Sequence, residues 1–269
     1  MSGTKVHNEH VSTEELPVAI YHEEHLTISE AAFVTEVGVA HGVGIEAIVP
    51  VRVVRTRIRF EDLAHEPIVV PNGSIHHRNE TLSGPGDPWL LVHGARGLGA
   101  WTLAARAGVS IPLGRTEPNP FDLGRRGLPH QHIQFGTGTW DPVAGVSAGR
   151  RFGQVGFVVH ALARLVFGTN AHAYQAGDRF YASAAADRRI AGAWRGIAGL
   201  DLAREQTETW GGHIETEGNL GRTDLLASVG VARPLGRGAF HVTAKVPLVT
   251  RATGAQVDYP VILAVGFSR

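Results

Sequence analysis

Asp258-Tyr-Pro-Val-Ile-Leu-Ala-Val-Gly-Phe267 is the stretch on which the reading turns. Side chains alternate across a strand with a period of two, so Tyr259, Val261, Leu263, Val265 and Phe267 share one face. Pro260, Ile262, Ala264 and Gly266 share the other. One face is large and apolar, the other mostly small. A soluble sandwich would turn the large face into a core. A membrane barrel would turn it to lipid, with an aromatic near each water interface. The preceding strands decide between these.

They repeat the split with a sharper contrast. Over 99–113, Trp101, Leu103, Ala105, Ala107, Val109, Ile111 and Leu113 oppose Thr102, Arg106 and Ser110. Over 154–167, Phe157, Val159, Ala161, Ala163, Leu165 and Phe167 oppose His160 and Arg164. Over 239–252, Phe240, Val242, Ala244, Val246 and Leu248 oppose His241, Thr243 and Lys245, and over 43–60 a face running from Val43 to Val53 opposes Glu46 and Arg52. An apolar run of about six alternate residues matches the ~25 Å lipid-facing band of an outer-membrane barrel. The opposite face carries Glu46, Arg52, Arg106, His160, Arg164, Arg195, Asp201, Glu205, His241 and Lys245, charges that are expensive in a dry core and at home lining a wet or ion-paired lumen.

The connections agree. Twelve strands are expected, at 17–27, 30–40, 43–60, 85–95, 99–113, 131–149, 154–167, 175–188, 192–208, 222–233, 239–252 and 256–268. Short Gly-bearing turns at His41–Gly44, Arg96–Gly99, Arg150–Gly153, Asp187–Gly192 and Pro234–Gly238 alternate with long polar loops. Outer-membrane barrels alternate in this way, with short periplasmic turns and long extracellular loops. The expected organisation is an all-β, transmembrane antiparallel up-and-down barrel over 17–269. Polar residues 1–16 form a flexible or plug-like N-terminal segment.

Composition narrows the function. Lys plus Arg and Asp plus Glu number 25 each, so no net field draws the chain to nucleic acid. The absence of Cys removes disulfides, thiolate metal sites and Cys nucleophiles. The sequence has no run of the roughly 18 apolar residues that a helical span needs, and a barrel with a polar interior gives no such run. Met1–His10 lacks the apolar core of a signal peptide, so the expected form is a mature envelope protein with an initiator Met. No catalytic set and no cofactor motif is identifiable. Gly94-Ala-Arg-Gly-Leu-Gly99 is followed by a strand rather than a helix, so it has no helix N-terminus to hold a phosphate.

Three motifs, Gly84-Pro-Gly-Asp-Pro-Trp89, Val109-Ser-Ile-Pro-Leu-Gly114 and Phe135-Gly-Thr-Gly-Thr-Trp-Asp-Pro142, occur in order and at a characteristic spacing. Together they resemble the outer-membrane barrels known as transporter-like or meta-pathway-of-phenol-degradation proteins. The resemblance covers roughly 84–150 in motif and most of the remainder in strand rhythm. It implies a bacterial outer-membrane barrel with a lipid-bilayer partner and a transport role for a small molecule or ion, and it supplies no catalytic residues. The chain departs from that group in ending Phe-Ser-Arg and in its 15 histidines.

Those histidines make weak divalent-metal binding a candidate activity. His7 with His10, His22 with His25, and His130 with His132 have spacings that could offer two imidazoles to one ion, the last pair from one face of a strand. The alternative reading of the whole chain is a soluble or periplasmic β-barrel that keeps its apolar face inside and binds an apolar ligand or a metal ion.

Overall fold

The computed structural model describes every residue except 13–15, 72–77, 255 and 269, and the side chains of residues 10 and 12. In chain order the elements are β1 (Ser2–Ser12), β2 (Ile20–Ala40), β3 (Val43–Glu61), β4 (Thr81–Pro85), β5 (Trp89–Leu98), β6 (Trp101–Ser110), the short helix α1 (Pro120–Arg125), β7 (Asp141–Phe152) and β8 (Val155–Arg164). They continue with β9 (Tyr174–Gln175), β10 (Arg179–Ala191), β11 (Trp194–Glu205), β12 (Thr209–Trp210), β13 (Arg222–Leu235), β14 (Gly238–Ala252), β15 (Gln256–Asp258) and β16 (Ile262–Ser268).

The wall is a closed antiparallel ring. It runs from β2 through β3, β5, β6, β7, β8, β10, β11, β13 and β14 to β16, and β1 completes it by pairing with β2 on one side and with β16 and β15 on the other. β4 and β5 both pair with β3 and form one wall strand interrupted at 86–88, and β15 and β16 form another interrupted at 259–261. The ring therefore has twelve wall positions. β9 and β12 make a separate two-residue pair among the long loops. Five tight turns join the wall strands at one rim, with Gly42, Gly99, Gly153, Gly192 and Gly236 at φ between 51° and 72°, a region that an L side chain enters only with strain.

Register assigns the faces. Val43, Ile45, Val49, Val51 and Val53 of β3 are exposed, while Glu46, Val54 and Thr56 between or beyond them are buried. Leu103, Val146, Val159, Leu200, Val229, Val246, Leu263 and Val265 continue the exposed apolar surface around the ring. An apolar outside and a charged inside is the arrangement of a transmembrane barrel and the inverse of a lipocalin-like one. The soluble reading, with its greasy face inward, is overturned by this geometry.

Three expectations are corrected. Residues 1–16 are not a loose or plug-like segment where the structure describes them: Ser2–Ser12 pairs in continuous register with Ile20–Glu30 and forms a wall strand. Residues 17–40 are not two strands, because β2 runs unbroken from Ile20 to Ala40 and the Ile28-Ser29-Glu30 step carries no Gly, Pro or Asn to turn the chain. Tyr259 is not a lipid-facing aromatic. Pro260 offers no N–H to a ladder, the strand breaks there, and the phase slips by one residue. Asp258 sits beside outward His7, Tyr259 turns inward to pack with Val6 and Leu226, and Leu263, Val265 and Phe267 resume the outer face.

Candidate solute conduit

The inward face was assigned from alternation, and its residues meet in pairs. Arg52 reaches Glu30 across β2 and β3 at 2.9 Å, and Arg106 reaches Glu46 at 3.1 Å, spanning the intervening β5. Lys245 lies 3.1 Å from Asp201, which also accepts from the Tyr181 hydroxyl. Arg195 is held by Asp187, and Arg179 lies 2.6 Å from Glu205. Arg164, only 7% exposed, faces Asp141 at 3.9 Å. His160 projects inward beside Tyr181, with ring centroids 6.1 Å apart, and His241 lies inward against Gly266. By register the ten side chains expected to line the lumen lie on the face of the wall opposite the apolar one. The carboxylates that partner them, Glu30, Asp141 and Asp187, were not singled out in the sequence, although their strand parity would have found them.

The three family-like motifs, separate in sequence, converge at the long-loop end of the lumen. The Asp87 carboxylate, 5% exposed, accepts from the Gly114 amide at 2.8 Å, the Thr137 amide at 2.7 Å and the Thr137 hydroxyl at 3.1 Å. The same hydroxyl lies 2.8 Å from Asp141, itself fully buried. Glycine is required here because the backbones nearly touch: a Cβ on Gly114 would lie 2.7 Å from Gly136 Cα. One buried acid thus ties β5, the start of the loop after β6, and the loop's return into β7.

That loop does not stay outside. Residues 131–140 were expected to open a strand and instead turn into the barrel, where Phe135 packs against inward Val54 and Leu82 and Ile133 lies against the same cluster. A lumen cavity of about 590 Å³ remains, with Leu26, Ile28, Ile133 and Ile262 on its apolar side and Glu30, Arg52, Arg164 and Arg179 on its charged side. A second of about 250 Å³ lies next to Asp87 and Thr137.

Over the long-loop rim, Phe121 of α1, Val166, Tyr174, Ala176 and Trp210 form a buried cap. Asn119 caps α1 by accepting from the Phe121 and Asp122 amides, and Pro120 occupies the first turn, where its missing N–H has no cost. Within the cap, Glu208 accepts from Trp210 Nε1 at 3.1 Å, the Tyr174 hydroxyl at 3.2 Å and the Asn219 amide at 3.3 Å. Burial raises the Glu208 carboxyl above its ordinary range, and burial also raises the Tyr174 phenol.

The expected metal residues separate. His7 and His25 stand directly opposite each other on the outer face, with rings stacked at 4.9 Å, and His7 Nε2 lies 2.5 Å from Glu23. One ligand atom each from His7, Glu23 and His25 falls within 4.8 Å of the others, and Glu9, Glu23 and His65 make a second such set. His22 does not join His25: three residues apart on a strand, they face opposite ways, and His22 is buried edge-on to Phe60. The side chain of His10 lies outside the described residues. His130 and His132 lie in the loop, not on a strand, with ring centroids 5.3 Å apart; His130 Nδ1 is 2.9 Å from the Leu128 carbonyl and His132 packs edge-on to Phe121.

No protein-family model matches the chain, and no curated protein does. Among solved structures, the COG4313 outer membrane channel from Pseudomonas putida F1 is similar with a TM-score of 0.58 at 10% identity, over 99% of this chain and 94% of that one. A loop-deletion mutant of OmpT, an outer membrane protein of Vibrio cholerae, gives 0.43 at 7% identity over 99% and 97%. The first likeness bears on the fold, which is that of an outer-membrane barrel.

Proposed function

We propose that the chain is a channel or transporter of the bacterial outer membrane that passes small solutes or ions, of the transporter-like group its three motifs resemble. The observation that carries this is a polar, ion-paired interior holding a 590 Å³ cavity inside a wall whose outer face is apolar. The similarity to an outer membrane channel supports the same reading. Rings of charge on a pore wall bias which ions enter. A count of Arg52, Arg106, Arg164, Arg195 and Lys245 against Glu46, Asp201 and Glu205 alone suggests mild anion preference. Pairing of those cations with Glu30, Asp141 and Asp187 as well removes most of that bias, and the inserted loop narrows the path. The expected behaviour is low conductance with weak selectivity. Single-channel recording in a planar bilayer under a salt gradient tests it: no conductance, with the 131–140 loop shortened as well as intact, leaves the channel reading without support.

A divalent cation is proposed as a weakly held accessory of the outer face, because His7, Glu23 and His25 present a nitrogen, oxygen and nitrogen set to one point. Calorimetry with Zn²⁺ at neutral pH checks this, and no heat beyond dilution removes it.

A further inference from the structure

The outer face of β3 changes chemistry abruptly. Val43 to Val53 is apolar, and the next three outward positions are Arg55, Arg57 and Arg59, all exposed. With a rise of about 3.3 Å per residue and a strand tilt near 40°, each residue climbs roughly 2.5 Å along the barrel axis, so Val43–Val53 spans about 25 Å and fills the lipid-facing band. Arg55 and Arg57 then stand within about 10 Å of its upper edge, at the depth of lipid headgroups rather than of chains or bulk water.

The neighbouring strands enlarge the patch. Register places Thr27 opposite Arg55 and Lys5 opposite Thr27, and His25 opposite Arg57. Lys5, His7, His25, Arg55, Arg57 and Arg59 line a shallow depression of about 690 Å³ on the outside of the wall, with Asp258 at its edge. Glu23, the acid on the rung of Arg59, is engaged by His7. Among the described residues, Arg55, Arg57 and Arg59 make no ion pair. Arginines at the opposite rim are accommodated differently: Arg150 lies over the rings of Trp101 and Phe152, and Arg233 over Trp194.

We propose that this patch binds the phosphate groups of phosphorylated lipid headgroups in the leaflet at the long-loop rim. Guanidinium groups match phosphate oxygens in a bidentate fork, and successive outward positions on one strand lie about 6.7 Å apart, close enough for one phosphate to bridge two of them. The source is a lipid rather than a dissolved anion because the ladder continues the apolar band without a gap, so a headgroup can sit on it while its acyl chains lie against Val49, Val51 and Val53. This inference rests on the outer-membrane reading for its setting, but its test does not.

The purified barrel in neutral detergent is offered diphosphorylated lipid A, the dephosphorylated form of the same lipid, or inorganic phosphate, and retention is measured by native mass spectrometry. The wild type is expected to keep the phosphorylated lipid and release the dephosphorylated one. R55Q/R57Q/R59Q should lose at least about tenfold in affinity, since each basic group near an anionic headgroup contributes separately. Thr27→Glu, a single change that places an acid among the basic groups, should weaken retention in the same direction. Equal retention of both lipids, an unchanged affinity in both variants, or inorganic phosphate binding as tightly as the lipid each overturns the proposal. Bilayer recordings of the same variants keep the two readings apart: a variant that conducts as the wild type does shows an intact barrel whatever its lipid binding, and lipid retention without conductance counts against the channel alone.

Discussion

Strand β6 carries Leu103, Ala105 and Ala107 on its outer side and Thr102, Ala104 and Arg106 on its inner side, and the two sides are stabilised in different ways. The outer residues need only be apolar, since lipid accepts them wherever they point and few depend on a particular neighbour. Arg106 depends on Glu46, a partner sixty positions away in sequence. Tolerance on the outside is therefore a matter of polarity, and on the inside a matter of partners.

The largest effect that could break this comparison is expected inside. Asp141→Ala leaves Arg164 buried without its carboxylate and strips Thr137 and Thr139 of an acceptor, at a cost of about 3–5 kcal/mol. Denaturant unfolding from lipid vesicles measures it, and a loss under about 1 kcal/mol would mean that the inner face does not depend on its partners. Next comes the outer face. Val146→Arg should cost about 2–4 kcal/mol in the same assay, whereas Thr102→Arg, inward and exposed, should stay within about 0.5 kcal/mol. Equal costs would show the faces to be misassigned. Inward does not by itself mean wet, however: Ser110 shares the inner face of Thr102 yet is fully buried, so an Arg there would not be tolerated.

A smaller, functional effect sharpens the comparison. Glu46→Gln releases Arg106 from its carboxylate and adds one uncompensated positive charge to the lumen, so the reversal potential in a salt gradient should move toward anion selectivity. An unchanged reversal potential would place Arg106 off the conducting path. The smallest expected effect is at the cap. Because the folded-state pKa of Glu208 is raised by burial, the folded form holds its proton when the unfolded chain has already released it. Stability is then greatest below the ordinary carboxylate range, falls as pH rises through that range, and levels off once the raised folded pKa is passed. Unfolding followed by tryptophan fluorescence should show this decline, and Glu208→Gln should flatten it.

Most of the wall was legible because lipid on one side and charge on the other write a period of two into the sequence. The strand that escaped, β1, lies beside the upper half of β2, above most of the apolar band. Its outward Lys5, His7 and Glu9 and its inward Thr4 and Asn8 are alike polar, so no alternation marked it as a strand. Tyr259 was misplaced for the opposite reason: the alternation around it was clear, but Pro260 reset the phase. Lumen positions could be assigned one strand at a time, whereas which cation meets which carboxylate could not, because that matching depends on barrel geometry. The convergence of Asp87, Gly114 and Thr137 was hidden for the same reason, although the motifs that contain them were visible.

The ring is closed by its own two ends. β1 pairs with β16, so Ser2 lies opposite Ala264 and Thr4 opposite Ile262. Every other neighbouring pair in the wall is a hairpin that can zip locally, but this one joins residues separated by almost the whole chain, and loop-closure entropy makes such contacts the slowest to form. A growing barrel would therefore carry two open edges, each a template for pairing with another chain, until its final strand arrives. Assembly of this protein should accordingly be all-or-none with respect to its C-terminal strand, and a chain shortened before Ile262 should accumulate as cross-pairing, aggregation-prone sheets rather than as a smaller barrel.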